Sequence, residues 1–201
     1  MSYALSLLIG YLFGSIPFAV IIARASGVDI FKCGSGNPGA TNVMRSVGKL
    51  EGRLCFALDA LKGFVPVLLA MLLVHNSALA CTALLGALVG HSFSVWIGFR
   101  GGKGVATTVG GLLALVPAVM GIGLLLWLVV FSASRTVSLA SILMAVWLPF
   151  GAWLFRADLP ALLVVSLVAA LVVVRHKANI GRLLQGTENR FGKKKESGST
   201  N

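Results

Sequence analysis

Residues 104–133 read GVATTVGGLLALVPAVMGIGLLLWLVVFSA, and the topology of the chain depends on whether this run crosses a membrane once or twice. The run is too long for one span of ~20 residues and too short for two full spans. Pro117 divides it into two apolar halves, 104–117 and 118–133. The two topologies differ in where they put the positive charges of the chain.

The placement of lysine and arginine favours two short segments. With two segments, 15 of the 17 lysine and arginine residues fall on one side of the membrane, Arg156 falls opposite and Lys62 lies within a span. With one segment, Arg135 and the lysine-rich tail move outside, although positively charged loops usually stay in the cytoplasm. The sequence therefore predicts a short helical hairpin, crossing or re-entrant, with the N-terminus outside and the C-terminus cytoplasmic.

The composition is typical of a protein that crosses the membrane several times. Of 201 residues, 57% are hydrophobic and 11% are charged. The predicted spans are 4–23, 54–74, 78–98, 104–117, 118–133, 136–155 and 159–174. They define an all-α membrane protein with seven transmembrane helices, of which the fourth and fifth are short. Arg24 follows the first run and no basic segment precedes it, which predicts an uncleaved first helix.

The charged tail is predicted to be separate from the membrane domain. The domain is assigned to residues 1–185, and the polar, lysine-rich residues 186–201 are predicted to be disordered and attracted to anionic lipid. The net charge of +11 suggests nucleic acid, but the basic residues lie between apolar runs and in the tail. No nucleic-acid partner is therefore predicted. Dispersed cysteines, histidines and acids predict no disulfide, metal site or cofactor.

The first polar loop, Gly34 to Asn42, reads GSGNPGATN. Its glycines and proline can turn backbone N–H groups inward to bind an anion. Thr41 or Asn42 is predicted to cap a short helix, and Arg45 would add a bidentate phosphate donor. No Gly-Lys-Ser/Thr follows at Walker A spacing. The alternative is a tight turn that only connects two spans.

Three further polar segments share the predicted cytoplasmic side. Residues 101–104, GGKG, repeat the anion-binding pattern, although a lysine at a membrane boundary can also simply snorkel. Ser138 and Ser141 share a helix face, but serines in apolar helices often bond their own helix carbonyls. His176 and Asn179 have the same spacing. The histidine could accept a proton from a hydroxyl, or the segment could be a cationic anchor at the interface.

Three acidic or basic residues lie within predicted spans. Asp59 and Lys62 are three residues apart, so they can partly neutralise each other on one helix face. A lone charge at that depth costs ~2.5–3.5 kcal/mol on insertion scales. His91 is equally consistent with a packing role. We interpret these residues as supports for the site.

Together the segments resemble one family, the bacterial membrane acyltransferases that use acyl-phosphate to acylate glycerol 3-phosphate. The resemblance covers nearly the whole chain. It rests on GSIP at 14–17, the loop at 34–42, DALKG at 59–63, GH at 90–91, GFRGGKGVAT at 98–107, SLAS at 138–141 and RHKANI at 175–180. The chain departs mildly from the family pattern at Arg100, where many members carry lysine, and in the terminal tail.

The resemblance implies transfer of a fatty acyl group to the 1-position of glycerol 3-phosphate, the first step of membrane phospholipid synthesis. The products would be lysophosphatidic acid and phosphate. The donor would come from a separate peripheral acyl-phosphate synthase. The family lies in the bacterial inner membrane, so this resemblance implies a multi-pass protein in contact with lipid, with its active site on the cytoplasmic face.

The resemblance also assigns the site residues. Catalytic roles are implied for Ser35, Arg45, Ser141, His176 and Asn179. Substrate and phosphate binding is implied for Gly34, Gly36, Asn37, Gly39, Thr41, Asn42, Gly102, Lys103 and Gly104. Direct transfer is preferred to an acyl-serine, since neither serine has an evident local base. The proton acceptor is left open between His176 and a substrate phosphate oxygen.

The main alternative is a membrane transporter of a phosphorylated or anionic solute. Glycine loops and intramembrane charge also suit transporters. However, the polar motifs face one side, whereas a transporter needs access from both sides, and the sequence contains no evident inverted repeat. The sequence therefore favours the enzyme.

Overall fold

The computed structural model describes residues 2–191, and the regular structure within this part of the chain is helical. The helices are α1 Tyr3–Ser15, α2 Phe18–Ala25, α3 Ala40–Ser46, α4 Lys49–Val74, α5 Ser77–Ser92, α6 Val105–Leu115, α7 Pro117–Ser134, α8 Val137–Leu154, α9 Leu159–Arg175 and α10 Lys177–Leu184. A short 3-10 turn, Val95–Ile97, follows α5.

Several helices are long and apolar enough to cross a membrane, which confirms the prediction of an all-α membrane protein. Within residues 2–191 there are five such segments, or six if α9 and α10, which are bent by 56°, count as one. Helix α6 has only 11 residues, as expected for a short fourth segment. The count of seven spans and the orientation of the termini stay predictions.

The fifth predicted segment is longer than expected. Helix α7 has 18 residues and is long and apolar enough to span. Pro117 occupies the first helical position, where its missing N–H breaks no helical hydrogen bond. The proline therefore starts this helix as well as ending the hairpin turn, and the prediction of a short fifth segment is corrected.

The first predicted span is broken at Pro17, where α1 ends and α2 begins. Carbonyl groups at a helix end have no partner within the helix and must be satisfied by other groups. The Ser94 hydroxyl donates to the carbonyl oxygen of Ser15 at 2.5 Å. The Lys62 ammonium donates to the carbonyl oxygen of Ile16 at 2.7 Å. Side chains from other elements thus hold the break in place.

Two glycine pairs let α1 and α5 pack backbone to backbone. Gly10 and Gly14 of α1 face α5, while Gly86 and Gly90 of α5 face α1. A Cβ at any of these four positions would collide with the main chain of the other helix. Small residues four apart are a common device for close helix packing in membranes. Helices α4 and α6 also approach closely through glycines, and α8 packs between α7 and α9.

Two apolar clusters form the core. The larger cluster joins α4, α5, α6, α7, α8 and α9 and includes Leu84, Leu112, Met144 and Val165. The smaller cluster includes Ile30 and lies beneath the loop between α2 and α3. This second cluster seats that loop against α4, which fixes the position of the first glycine motif.

Candidate phosphate-binding site

Three polar segments meet around one open cavity of about 330 Å³. They are the loop between α2 and α3, the loop before α6, and the start of α10. The residues that line the cavity are Phe31, Ser35, Gly36, Asn37, Pro38, Arg100, Gly101, Lys103, Ala178, Asn179 and Arg182. The structure therefore brings together Ser35, Gly36, Asn37, Lys103 and Asn179 from the residues that the sequence singles out.

The first loop is shaped from within by the amide of Asn42. Its Nδ2 donates to the carbonyl oxygen of Cys33 at 3.0 Å, and its Oδ1 accepts from the backbone N–H of Ser35 at 3.0 Å. Gly34 and Gly36 take left-handed conformations, with φ of 57° and 67°. A side chain at Gly34 would also collide with the Asn42 amide. Asn42 is buried, so it shapes the loop and does not face the cavity.

The predicted helix cap is wrong. Helix α3 begins at Ala40 with Gly39 in the N-cap position and no side-chain cap. Thr41 and Asn42 therefore lie inside the first turn. Asn42 cannot cap the helix because its amide is already bonded to the loop.

Arg175 fixes the backbone of the second loop, which precedes α6. Its guanidinium donates to the carbonyl oxygens of Gly101 at 3.2 Å and Gly102 at 2.7 Å. Gly102 packs on the ring of His91 with no space for a side chain. Gly104 has a φ of 80° and precedes α6. Gly102 and Gly104 thus let the chain turn so that Lys103, between them, lines the cavity.

Lys103 begins a chain of polar contacts across the cavity. Its ammonium donates to Oδ1 of Asn179, and Nδ2 of Asn179 donates to Oε1 of Glu188 at 2.8 Å. Arg182 donates to the other carboxylate oxygen of Glu188 at 2.7 Å. Burial lowers the pKa of Lys103 to about 8; Glu188 opposes this effect, and Arg45 is among the arginines that add to it. The lysine is thus cationic below that pH and has no carboxylate bonded to it.

A buried ionic cluster lies directly behind the cavity wall. Asp59 and Lys62 form an ion pair at 2.7 Å, with 2% and 3% of their side chains exposed. His91 Nδ1 lies 3.8 Å from Asp59 Oδ1. Pro38 and Gly101 line both the cavity of about 330 Å³ and a small space beside this cluster. Asp59, Lys62 and His91 do not line the larger cavity, and their role as supports for the site stays a prediction.

Arg45 lies outside the cavity lining and contacts the C-terminal segment. Its guanidinium lies 4.8 Å from the centre of the Phe191 ring and donates to the carbonyl oxygen of Asn189 at 3.4 Å. The Phe191 amide in turn donates to the carbonyl oxygen of Arg135 at 2.8 Å. A ligand phosphate that bound Arg45 would have to share the arginine with this segment.

Ser141 and His176 also lie outside the lining. The Ser141 hydroxyl accepts from Nε1 of Trp127 at 3.1 Å. His176 Nδ1 lies 2.7 Å from the carbonyl oxygen of Val172. Because a carbonyl only accepts, Nδ1 must carry the hydrogen, and Nε2 is the nitrogen that can take a proton.

The described chain continues past the predicted domain boundary at residue 185. Residues 186–191 lie against α3, α7 and α10 through Asn189, Phe191 and Glu188. The remaining part of the predicted tail, 192–201, lies outside the described residues. Glu188 was not predicted as a site residue, nor were Phe31, Arg100 and Arg182, which line the cavity. The signal for Glu188 was an acid six residues after Arg182 in a chain with only six acidic residues.

These observations define a class of protein. The chain is a multi-pass helical membrane protein whose polar loops form a cationic, glycine-rich cavity at one end of the bundle. Such a cavity suits a phosphorylated ligand.

Comparison with known proteins identifies the family. Residues 4–186 match the family model described as Glycerol-3-phosphate acyltransferase. Curated relatives with this name include those of Desulforamulus reducens, at 45% identity over 92% of this chain and 93% of the relative, and Aquifex aeolicus, at 46% identity over 90% and 95%. The chain belongs to the glycerol-3-phosphate acyltransferase family, which confirms the predicted resemblance.

Two solved structures share the fold. Both are crystal structures of PlsY, an integral membrane glycerol 3-phosphate acyltransferase, one in its glycerol 3-phosphate form and one in its lysophosphatidic acid form. Each is 41% identical and covers 96% of both chains, with TM-scores of 0.92 and 0.89.

Proposed function

We propose that this protein transfers a fatty acyl group from acyl-phosphate to the 1-position of glycerol 3-phosphate. The products are lysophosphatidic acid and phosphate. One observation carries the proposal: Ser35 and the neighbouring loop backbone, Lys103 and Asn179 line a single cavity. The solved PlsY structures support it, because one is the glycerol 3-phosphate form and the other the lysophosphatidic acid form.

The donor suits a site built from cations and backbone N–H groups. An acyl-phosphate is a mixed anhydride whose phosphate is a good leaving group, so the protein must mainly neutralise charge and orient the reactants. Lys103 and the Ser35 loop supply donors for one phosphate. Apolar helix surfaces beside the cavity suit the acyl chain, and no cofactor is required.

The reaction is direct transfer. The 1-hydroxyl oxygen of glycerol 3-phosphate attacks the acyl carbonyl carbon, the bond between that carbon and the phosphate oxygen breaks, and phosphate leaves. The hydroxyl proton passes to Nε2 of His176 or to a phosphate oxygen of the substrate. Ser141 bonds Trp127 and has no basic group bonded to it within residues 2–191, which argues against an acyl-serine at this position.

The site is proposed to face the cytoplasm of a bacterial inner membrane. The loops that line the cavity lie on the side of the chain that is predicted to carry 15 of its 17 lysine and arginine residues, and positively charged loops usually remain cytoplasmic. A soluble phosphate ester and a donor from a peripheral acyl-phosphate synthase would both reach the cavity from that side.

The test is a donor comparison on purified protein. Labelled glycerol 3-phosphate is incubated with palmitoyl-phosphate or with palmitoyl-CoA, and lysophosphatidic acid is measured. We expect product from the phosphate donor only, and loss of most activity in Lys103→Ala. Lys49→Ala is the matched control, since Lys49 is exposed at the start of α4 and outside the cavity. Product from the CoA donor alone would overturn the proposed donor.

A further inference from the structure

Arg100 lines the cavity, but it is not among the residues that were assigned a catalytic or binding role above. It precedes Gly101 and lines the same space as Ser35 and Lys103. The residue is exposed, so its guanidinium can be reached from water. The backbone before it turns sharply, because Gly98 and Phe99 both take left-handed conformations, with φ of 62° and 61°. The turn brings Arg100 to the cavity.

The ring of Phe31 holds the Arg100 guanidinium. The guanidinium carbon lies 4.5 Å from the centre of the ring. Stacking on an aromatic face leaves the N–H edges of arginine open to other partners. These edges can bind a phosphate in bidentate fashion, with less conformational entropy to lose than a freely moving side chain. Phe31 and Arg100 come from different loops, so both glycine loops contribute to this arrangement.

The other cations around the cavity already have polar partners. Arg182 bonds Glu188, and Lys103 bonds Asn179. Arg45 bonds the C-terminal segment. Within residues 2–191, the structure gives Arg100 no carboxylate within ion-pair distance. The Arg100 guanidinium is thus positioned by the Phe31 ring, and its N–H groups are available to bind a ligand.

The proposed reaction brings two phosphate groups into one cavity. Lys103 and the Ser35 loop lie together and can neutralise one of them. The second phosphate needs another cation, or the two dianions would repel each other at short range. Of the three cations that line the cavity, Arg100 is exposed, whereas Lys103 and Arg182 are partly buried. Exposed cations steer soluble anions from solution. The acyl-phosphate, in contrast, is anchored by its chain in lipid.

We propose that Arg100, stacked on Phe31, binds the phosphate of glycerol 3-phosphate at the cavity mouth. This role rests on the proposed function, because it assumes that a glycerol 3-phosphate dianion and an acyl-phosphate share the cavity. Arg100 then sets the affinity for the acceptor and leaves the affinity for the donor unchanged.

The main test is a comparison of Michaelis constants. Arg100→Gln and Arg100→Lys are assayed in neutral detergent with each substrate varied in turn. We expect Arg100→Gln to raise KM for glycerol 3-phosphate about tenfold, the loss of one charge-assisted contact. KM for palmitoyl-phosphate should change by less than about twofold, and Arg100→Lys should lie between, because it keeps charge but loses the planar fork. The acceptor KM should also depend less on ionic strength in Arg100→Gln.

The matched control is Arg53→Gln. Arg53 is exposed near the start of α4 and does not line the cavity, so its loss tests the general effect of one fewer surface cation. An unchanged acceptor KM in Arg100→Gln would overturn the proposal, as would an equal rise in Arg53→Gln. A rise in the donor KM alone would assign Arg100 to the donor phosphate and also overturn it.

Direct binding separates this proposal from the proposed function. The dissociation constant of glycerol 3-phosphate is measured by calorimetry without any donor, in detergent and in vesicles with and without phosphatidylglycerol. Weaker binding in Arg100→Gln in detergent supports the proposal whichever donor the enzyme uses. Equal binding in detergent, with a difference only in phosphatidylglycerol vesicles, would assign Arg100 to lipid headgroups and overturn it.

Discussion

Lys103 shows how burial changes a residue that the sequence identifies only by type. A lysine flanked by glycines at a membrane boundary is expected to keep its ordinary pKa, because snorkelling keeps the ammonium in water. Here the side chain is directed toward Asn179 instead, and burial lowers its pKa to about 8. Lys103 therefore loses its positive charge as the pH rises through about 8, which is within the range of an activity assay.

We predict that kcat/KM for glycerol 3-phosphate falls as pH rises through about 8. The lowered pKa means that Lys103 is charged below this value and neutral above it, and kcat/KM reports groups of the free enzyme. Lys103→Arg keeps its charge, so its profile should stay flat to about pH 10, although its activity is lower. Rates between pH 6 and 10 test this, with Lys49→Arg as control. The same alkaline fall in Lys103→Arg would exclude Lys103 as its cause.

The site residues that the sequence predicted are only partly together in space. Ser35, Lys103 and Asn179 line one cavity, whereas Ser141 and His176 lie outside its lining. Spacing of three residues predicts a shared helix face but not what that face meets, and Trp127 covers Ser141. Catalytic roles for Ser141 and His176 therefore stay predictions.

At the scale of elements, the break in the first span and the buried ion pair are linked through Lys62. Pro17 stops α1 and leaves carbonyls that lipid cannot satisfy. Lys62 donates to one of them, and Asp59 balances the charge of Lys62. The break could be predicted from the sequence, since Pro17 lies within an apolar run, but only the structure shows which carbonyl Lys62 reaches. The glycine pairs of α1 and α5 are also evident in the sequence, but it does not show that these two helices pack against each other.

We predict that Lys62→Met is severely destabilising and that Asp59→Leu/Lys62→Met recovers most of the loss. The single variant leaves a buried carboxylate without its partner, which typically costs ~3–5 kcal/mol. The double variant removes both charges but still lacks a donor for the Ile16 carbonyl, so it should remain ~1–3 kcal/mol less stable than the wild type. Thermal unfolding in detergent measures this. A double variant as unstable as Lys62→Met would show that the ion pair is not the relevant interaction.

At the scale of the whole molecule, the short α6 sets the depth of the site. A helix of 11 residues spans ~16 Å, about half of a ~30 Å hydrocarbon core. If the turn at Pro117 lies at the outer surface, Lys103 lies well below the level of the cytoplasmic interface. A recessed cavity of this kind would let a soluble phosphate ester meet a carbonyl group of a lipid-anchored donor. The sequence predicted this hairpin from the placement of positive charge.

We predict that Ala118→Cys is labelled from outside by an impermeant maleimide and that Thr187→Cys is labelled only after the cells are permeabilised. Both side chains are exposed, and they lie at the hairpin turn and after α10, respectively. The background replaces Cys33, Cys55 and Cys81, two of which are buried, and must first be shown to be active. Labelling of Ala118→Cys from outside means that α6 and α7 cross the bilayer, so that α6 alone recesses the cavity. Protection of Ala118→Cys, with Thr187→Cys behaving as expected, would make the hairpin re-entrant and place the cavity nearer the cytoplasmic surface.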